Sequence, residues 1–144
     1  ELLNSTKEKD YVIRWGGEEF LIILMDTTKK GVDSFCKKIL TQRNNNPIKI
    51  STHSLDVTFS LGFISSSLVK SNSNWFSWDD SLKLIDNCLY LAKKKGRNKA
   101  ISVTVEDEQA TDEHKKILLE LLSNEGYELP KTIKLEVIQG ESSK

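Results

Sequence analysis

The sequence predicts a mixed α/β domain, and three observations carry that prediction. Two runs rich in β-branched, aromatic and long aliphatic residues, DYVIRW and EEFLIILM, flank Gly16-Gly17 and read as a hairpin. Two stretches, residues 32–40 and 78–92, carry apolar side chains at the spacing of helices that lie on a sheet. Short β-rich runs at residues 48–51, 56–64 and 99–103 supply further strands.

In the hairpin, a Gly pair can take the positive φ angles that a two-residue loop needs, so the chain is expected to reverse at Gly16-Gly17. Glu18 and Glu19 then stand at the tip or on the first rung of the returning strand, where a carboxylate can face a cation without crossing the core. Phe20 and the LIIL run after it suit a strand buried on both faces. A rigid hairpin with acid at its tip is a metal-binding device. Taken alone, the hairpin reads first as a plain turn with two solvated glutamates.

Bulk properties narrow the class. The chain has 144 residues, 38% of them hydrophobic, which suits one domain, or one domain with an appendage. Twenty-one basic residues balance 21 acidic ones, so no global field draws the chain to nucleic acid or a membrane surface. No window is long and apolar enough for a membrane span, and the N-terminus shows no signal-peptide pattern. Cys36 and Cys88 belong to no CxxC pair and fall on apolar helical stripes. They read as reduced, buried thiols of a cytosolic protein.

Taken in order, residues 1–9 look like the end of a helix entering the first strand. Asp26 to Thr28 can cap a helix whose stripe is Val32, Phe35, Cys36, Ile39 and Leu40, and the Asn44-Asn45-Asn46-Pro47 breaker ends it. Residues 48–51 and 56–64 read as a strand pair joined through His53 and Ser54, and the Ser-rich residues 65–74 as a loop. Ser77 and Asp80 form a capping-box variant at the start of a helix with Trp78, Leu82, Ile85, Leu89 and Ala92 as its buried face, and Gly96 is placed to end it. Trp75 and Trp78 read as core or loop anchors. Residues 112–124 suggest a short helix stopped by Gly126, and residues 132–138 alternate as a half-buried strand. His53 and His114 are expected at the surface.

Three separated words, RWGGEEF at residues 14–20, VTFSLGF at 57–63 and LYLAKKKGRN at 89–98, occur in the order and at about the spacing of one family. On those words the chain resembles the GGDEF family, the diguanylate cyclases. GGEEF is a full match to the family signature, and the resemblance covers residues 1–103, leaving 104–144 as a C-terminal extension. It implies an α/β sandwich like the nucleotidyl cyclase and polymerase palm, here without the first strand and helices that carry an Asp metal ligand and the guanine contacts. The chain accordingly reads as a piece of a longer protein, or else as a shortened relative. The missing strand would lie beside the strand that follows Glu18, so that edge is expected to be covered by residues 132–138 or by a strand from a second copy.

The activity so implied is condensation of two GTP into cyclic di-GMP with release of two pyrophosphates, in a cytoplasmic bacterial protein acting as a homodimer under an upstream sensory domain. Magnesium or manganese would be the cation. By the resemblance Glu18 is the metal ligand and a candidate proton acceptor, and Glu19 supports metal or substrate. Gly16 and Gly17, with Phe20 behind them, let the nucleotide approach the backbone. Lys93 and Arg97 hold the phosphates, within a run that packs five cations into seven residues. Cations in the last turn of a helix also offset its dipole, which is the plain structural explanation of that run. Family members often carry an inhibitory RxxD product site five residues before the glycines; here it reads Lys7-Glu8-Lys9-Asp10, and a lysine cannot make the bidentate contact of a guanidinium. Weak or absent product inhibition through this site is expected. The second reading is a non-catalytic module for dimerisation or nucleotide sensing, and the 144-residue chain by itself is expected to show little or no turnover.

Overall fold

In the computed structural model, which describes residues 2–65, 75–106, 110–122, 124 and 126–141, strands and helices are mixed along the chain as expected. A short helix α1 (Leu2–Ser5) leads into the hairpin β1 (Tyr11–Gly16) and β2 (Glu19–Ile23). Helix α2 (Lys29–Asn45), a small hairpin β3 (Ile48–Ile50) and β4 (His53–Leu55), and β5 (Leu61–Gly62) follow. Then come helix α3 (Trp78–Lys94), strand β6 (Lys99–Val105), helix α4 (Asp112–Lys116) with a π-helical turn at Ile117–Leu121, and strand β7 (Ile133–Gln139).

Among the described residues the strands form three sheets, β1-β2, β3-β4 and β5-β6-β7. The last is the structural centre. β5 runs parallel to β6, with α3 as the crossover between them, and β7 pairs antiparallel to β6 from Lys99↔Gln139 to Val105↔Ile133. Alternate residues of β6 face opposite sides, so Ile101, Val103 and Val105 meet Leu84, Cys88 and Leu118, while Ala100 meets Cys36, Leu40 and Phe63. Helices therefore cover both faces of this strand. Lys29 ties α2 to β7 by reaching both Asp33 and Glu136, at 2.9 and 2.5 Å.

Local chemistry accounts for the helix ends. Thr28 accepts from the Gly31 amide at the start of α2, and Ser77 and Asp80 exchange side-chain bonds to each other's amides to start α3. At its other end the Arg97 amide donates to the Ala92 carbonyl and Gly96 takes φ +98°, the left-handed reversal that glycine permits. The π turn closes through the Leu122 amide on the Ile117 carbonyl. Asn87 of α3 donates to the Leu118 and Leu119 carbonyls beside it.

Several expectations change. The hairpin loop is Gly17-Glu18, because Gly16 already pairs with Glu19 and only Gly17 of the two glycines has positive φ, +52°. A register shift between Arg14 and Gly16 accommodates Trp15 as an extra residue. β2 is not buried on both faces: its residues are exposed or half-buried, with Phe20 49% exposed. The strand that is buried on both faces is β6.

The tail strand covers β6, not β2, so β2 has β1 as its one strand partner among the described residues. His53 and Ser54 belong to a strand, and the turn before them is Ser51-Thr52, with Ser51 at φ +54°. The strand expected over residues 56–64 is shortened to Leu61–Gly62. On α3 the buried residues are Leu84, Cys88, Leu91 and Ala92; of the predicted face only Ala92 is among them, and Trp78 is exposed. His114 is half-buried, bonding Thr111 and Thr132. Both cysteines are free and buried, and burial pushes each thiol up to about 12. The predicted loop at 65–74 lies, beyond Ser65, outside the described residues.

Candidate functional site

A cavity of about 700 Å³ opens between the hairpin, α2, residues 57–65 and α3. Its apolar lining comes from Leu21, Ile23 and Phe35 on one side and from Phe59, Ile85 and Leu89 on others. Its polar lining includes Glu18, Glu19, Lys93 and Arg97, four of the residues singled out by sequence. The hairpin tip and the end of α3, 74 residues apart in sequence, meet directly: Lys93 Nζ donates to Glu19 Oε1 at 2.9 Å.

Each of these side chains is held by a local device. The Gly17-Glu18 loop places the Glu18 carboxylate at the tip, and Arg14 donates from Nε and one terminal nitrogen to the Gly17 carbonyl at 3.1 and 2.8 Å. Arg14, to which the sequence reading gave no role, thereby fixes the shape of the turn; its place next to the signature was the available signal. Glu19 sits on the first rung of β2 opposite Gly16, so its backbone is set by strand pairing while its side chain stays half exposed. Lys93 is in the last turn of α3. Arg97 and Asn98 continue the left-handed run begun by Gly96, with φ of +58° and +49°.

The cationic run separates into two groups. Lys94 stands over the Tyr90 ring at 5.7 Å, and Lys99 caps the Lys95 carbonyl at 2.5 Å, which is the dipole-offsetting use of a terminal cation. Lys93 and Arg97 alone of the five line the cavity.

The glycines differ as well. Gly17 needs its conformation. Gly16 does not, and a Cβ built there would meet nothing within 4 Å, so the fold itself gives no reason for a glycine at that position. Gly62, in the VTFSLGF word, is required by packing: a Cβ there would lie 2.1 Å from the Ile85 carbonyl oxygen and 2.5 Å from the Leu89 amide nitrogen.

Lys7 and Asp10 line a separate, smaller cavity of about 220 Å³. Both Asp10 oxygens are taken by backbone, accepting from the Lys7 amide at 2.7 Å and the Met25 amide at 2.9 Å. Those two bonds, the Lys7 one foremost, hold its carboxyl below the usual range. Asp10 thus ties the approach to β1 to the exit from β2.

Among the described residues no three His, Cys, Asp or Glu side chains converge as a ready metal cage. Two carboxylates beside two phosphate-type cations fit a different arrangement, a hard cation that arrives with a polyphosphate and keeps much of its water. No described helix is long and apolar enough to cross a membrane.

No solved structure is significantly similar to the chain. The chain is similar to the protein named diguanylate cyclase DosC from Escherichia coli strain K12, and to its namesakes from Escherichia coli O157:H7 and Shigella boydii serotype 4. Identity is 25% over 96 residues in each case, covering 67% of this chain and 20% of the relative, so the chain spans about a fifth of these proteins. The model of the family described as diguanylate cyclase, GGDEF domain, matches residues 1–99, and with that match over most of its length the chain belongs to the GGDEF family.

Proposed function

We propose that the cavity binds a metal-loaded GTP and that the longer protein containing this chain is a cytoplasmic bacterial diguanylate cyclase. The observation that carries this reading is the convergence of Glu18 and Glu19 with Lys93 and Arg97 on one cavity. Lys93 and Arg97 are suited to the phosphates, Arg97 as a planar fork and Lys93 as a point charge. The empty space in front of Gly16 supports close passage of the nucleotide. The place of β2, whose one strand partner among the described residues is β1, beside the cavity supports a palm-like fold.

In the reaction, the 3′-hydroxyl oxygen of one GTP forms a bond to the α-phosphorus of the other, and the bond from that phosphorus to pyrophosphate breaks. Repetition closes the ring. Magnesium or manganese, when bound, neutralises phosphate charge and favours ionisation of the hydroxyl. Glu18, which has no side-chain partner among the described residues, is placed to take the proton and to share the cation. Two such sites face one another in a homodimer, each presenting one GTP. An upstream domain would control that encounter.

The chain alone offers two carboxylates, one of them engaged by Lys93, which favours a second reading for the isolated chain as a nucleotide-binding or dimerising module without turnover. Incubation of the full-length protein with GTP and magnesium tests the first reading. Cyclic di-GMP and pyrophosphate are the expected products, and a folded dimer that makes neither rejects it. Turnover by the 144-residue chain would reject the second.

A further inference from the structure

Lys93 and Glu19, both in the cavity lining, meet at 2.9 Å, with the two side chains 42% and 46% exposed. A pair this exposed is weakly held and easily exchanged. The two partners also want different things: a carboxylate on a strand rung is a ligand for a hard divalent cation, and an ammonium on a helix end is a ligand for phosphate. Glu18 and Arg97 line the same cavity.

We propose that Glu19 is an internal competitor for Lys93, and that the pair couples divalent-cation binding to polyphosphate binding. Without the cation, the Glu19 carboxylate occupies the ammonium that a phosphate would use, and adds like charge against the incoming anion. With the cation, Glu19 turns to the metal and Lys93 is released to the phosphates, so one ion pair is exchanged for two. Toward the cation Glu19 acts directly, and toward the phosphates it acts only through Lys93. The inference rests on the polyphosphate reading of the cavity and adds to it a direction: each ligand raises the affinity for the other.

Calorimetric titration of the chain with inorganic tripolyphosphate, in EDTA and in excess magnesium, tests this. The native chain is expected to bind more tightly with magnesium. Glu19→Gln, which keeps shape and removes charge at an exposed position, is expected to bind metal-free tripolyphosphate about three- to fivefold more tightly than the native chain. Its response to magnesium should be correspondingly reduced, and Lys93→Gln should weaken binding in both buffers. A purely structural staple between hairpin and helix would shift the urea midpoint of Glu19→Gln and leave the magnesium dependence as in the native chain, which would overturn the proposal while leaving the polyphosphate site intact. Absence of binding by the folded native chain in both buffers would overturn the proposal and the polyphosphate reading together.

Discussion

The hairpin β1-β2 and the strand β6 are both written in apolar residues, yet they end in opposite surroundings. Ala100 and Ile101 of β6 are wholly buried, with helices on both faces and a strand on each edge. Every residue of the hairpin is at least partly exposed; Tyr11, Trp15 and Phe20 are about half open to solvent. The basic half of the site, on the end of α3, is therefore built against the rigid centre of the molecule. The acidic half is carried on an exposed element that meets it, among the described residues, through the Lys93–Glu19 ion pair and the cavity walls. Such an element belongs to the low-stability end of a fold, where ligand-binding parts are commonly found.

The largest effect that would sharpen this contrast is expected at Gly62. Gly62→Ala drives a methyl into the backbone of α3 and should cost about 3 kcal/mol or more, or prevent folding, as read by urea denaturation. An alanine chain of unchanged stability would mean that β5 and α3 are not packed as described.

Next in size is a matched pair. Leu118→Ala, at a wholly buried position, should cost about 2–5 kcal/mol. Phe20→Ala, half exposed, should cost about 1 kcal/mol or less, since exposed substitutions lie at the low end of the range. Equal losses at the two sites would erase the distinction between hairpin and core.

The smallest expected effect is a pH dependence inside the rigid part. The Lys115 ammonium, 2.5 Å from Asp80, together with Ser77 holds that carboxyl down to about 2 from an ordinary 3.8. A depressed folded value stabilises above the unfolded pKa and ceases to do so as pH falls through the folded one. The stability gap between the native chain and Lys115→Met should thus be constant above about pH 5 and close between about pH 4 and 2. A gap that persists at pH 2 would show that Lys115 acts through packing on Phe76, over whose ring it stands at 5.5 Å, and not through charge.

Much of this was legible in the sequence for local reasons. Caps and the Gly96 reversal depend on neighbours a few residues away and are legible as such; the hairpin is legible too, though its loop sits one residue on at Gly17-Glu18, and the β7 alternation holds at Ile133 to Leu135 but breaks at Val137, which is 49% exposed. What periodicity could not resolve was which apolar surface is covered. On α3, Leu82, Ile85 and Leu89 look as fit for burial as Leu84, Cys88 and Leu91, and only the latter set faces β6; Ile85 and Leu89 line the cavity. The LIIL run has the same ambiguity, because a strand that lines a cleft and a strand inside a sheet need the same residues. For the site, Glu18, Glu19, Phe20, Lys93 and Arg97 of the three words line the cavity while Gly16 and Gly17 do not, and the words carry no sign of the Glu19–Lys93 contact. That pairing depends on the distance between two elements far apart in the chain.

Gly96, Arg97 and Asn98 all take positive φ, and a long side chain in that region is a strained choice that a glycine would relieve. Arg97→Gly should therefore leave the fold as resistant to urea as before, or slightly more so, while weakening the grip on tripolyphosphate. A position where the less active variant is the sturdier one marks where the molecule has given up robustness in exchange for a charge pointing the right way.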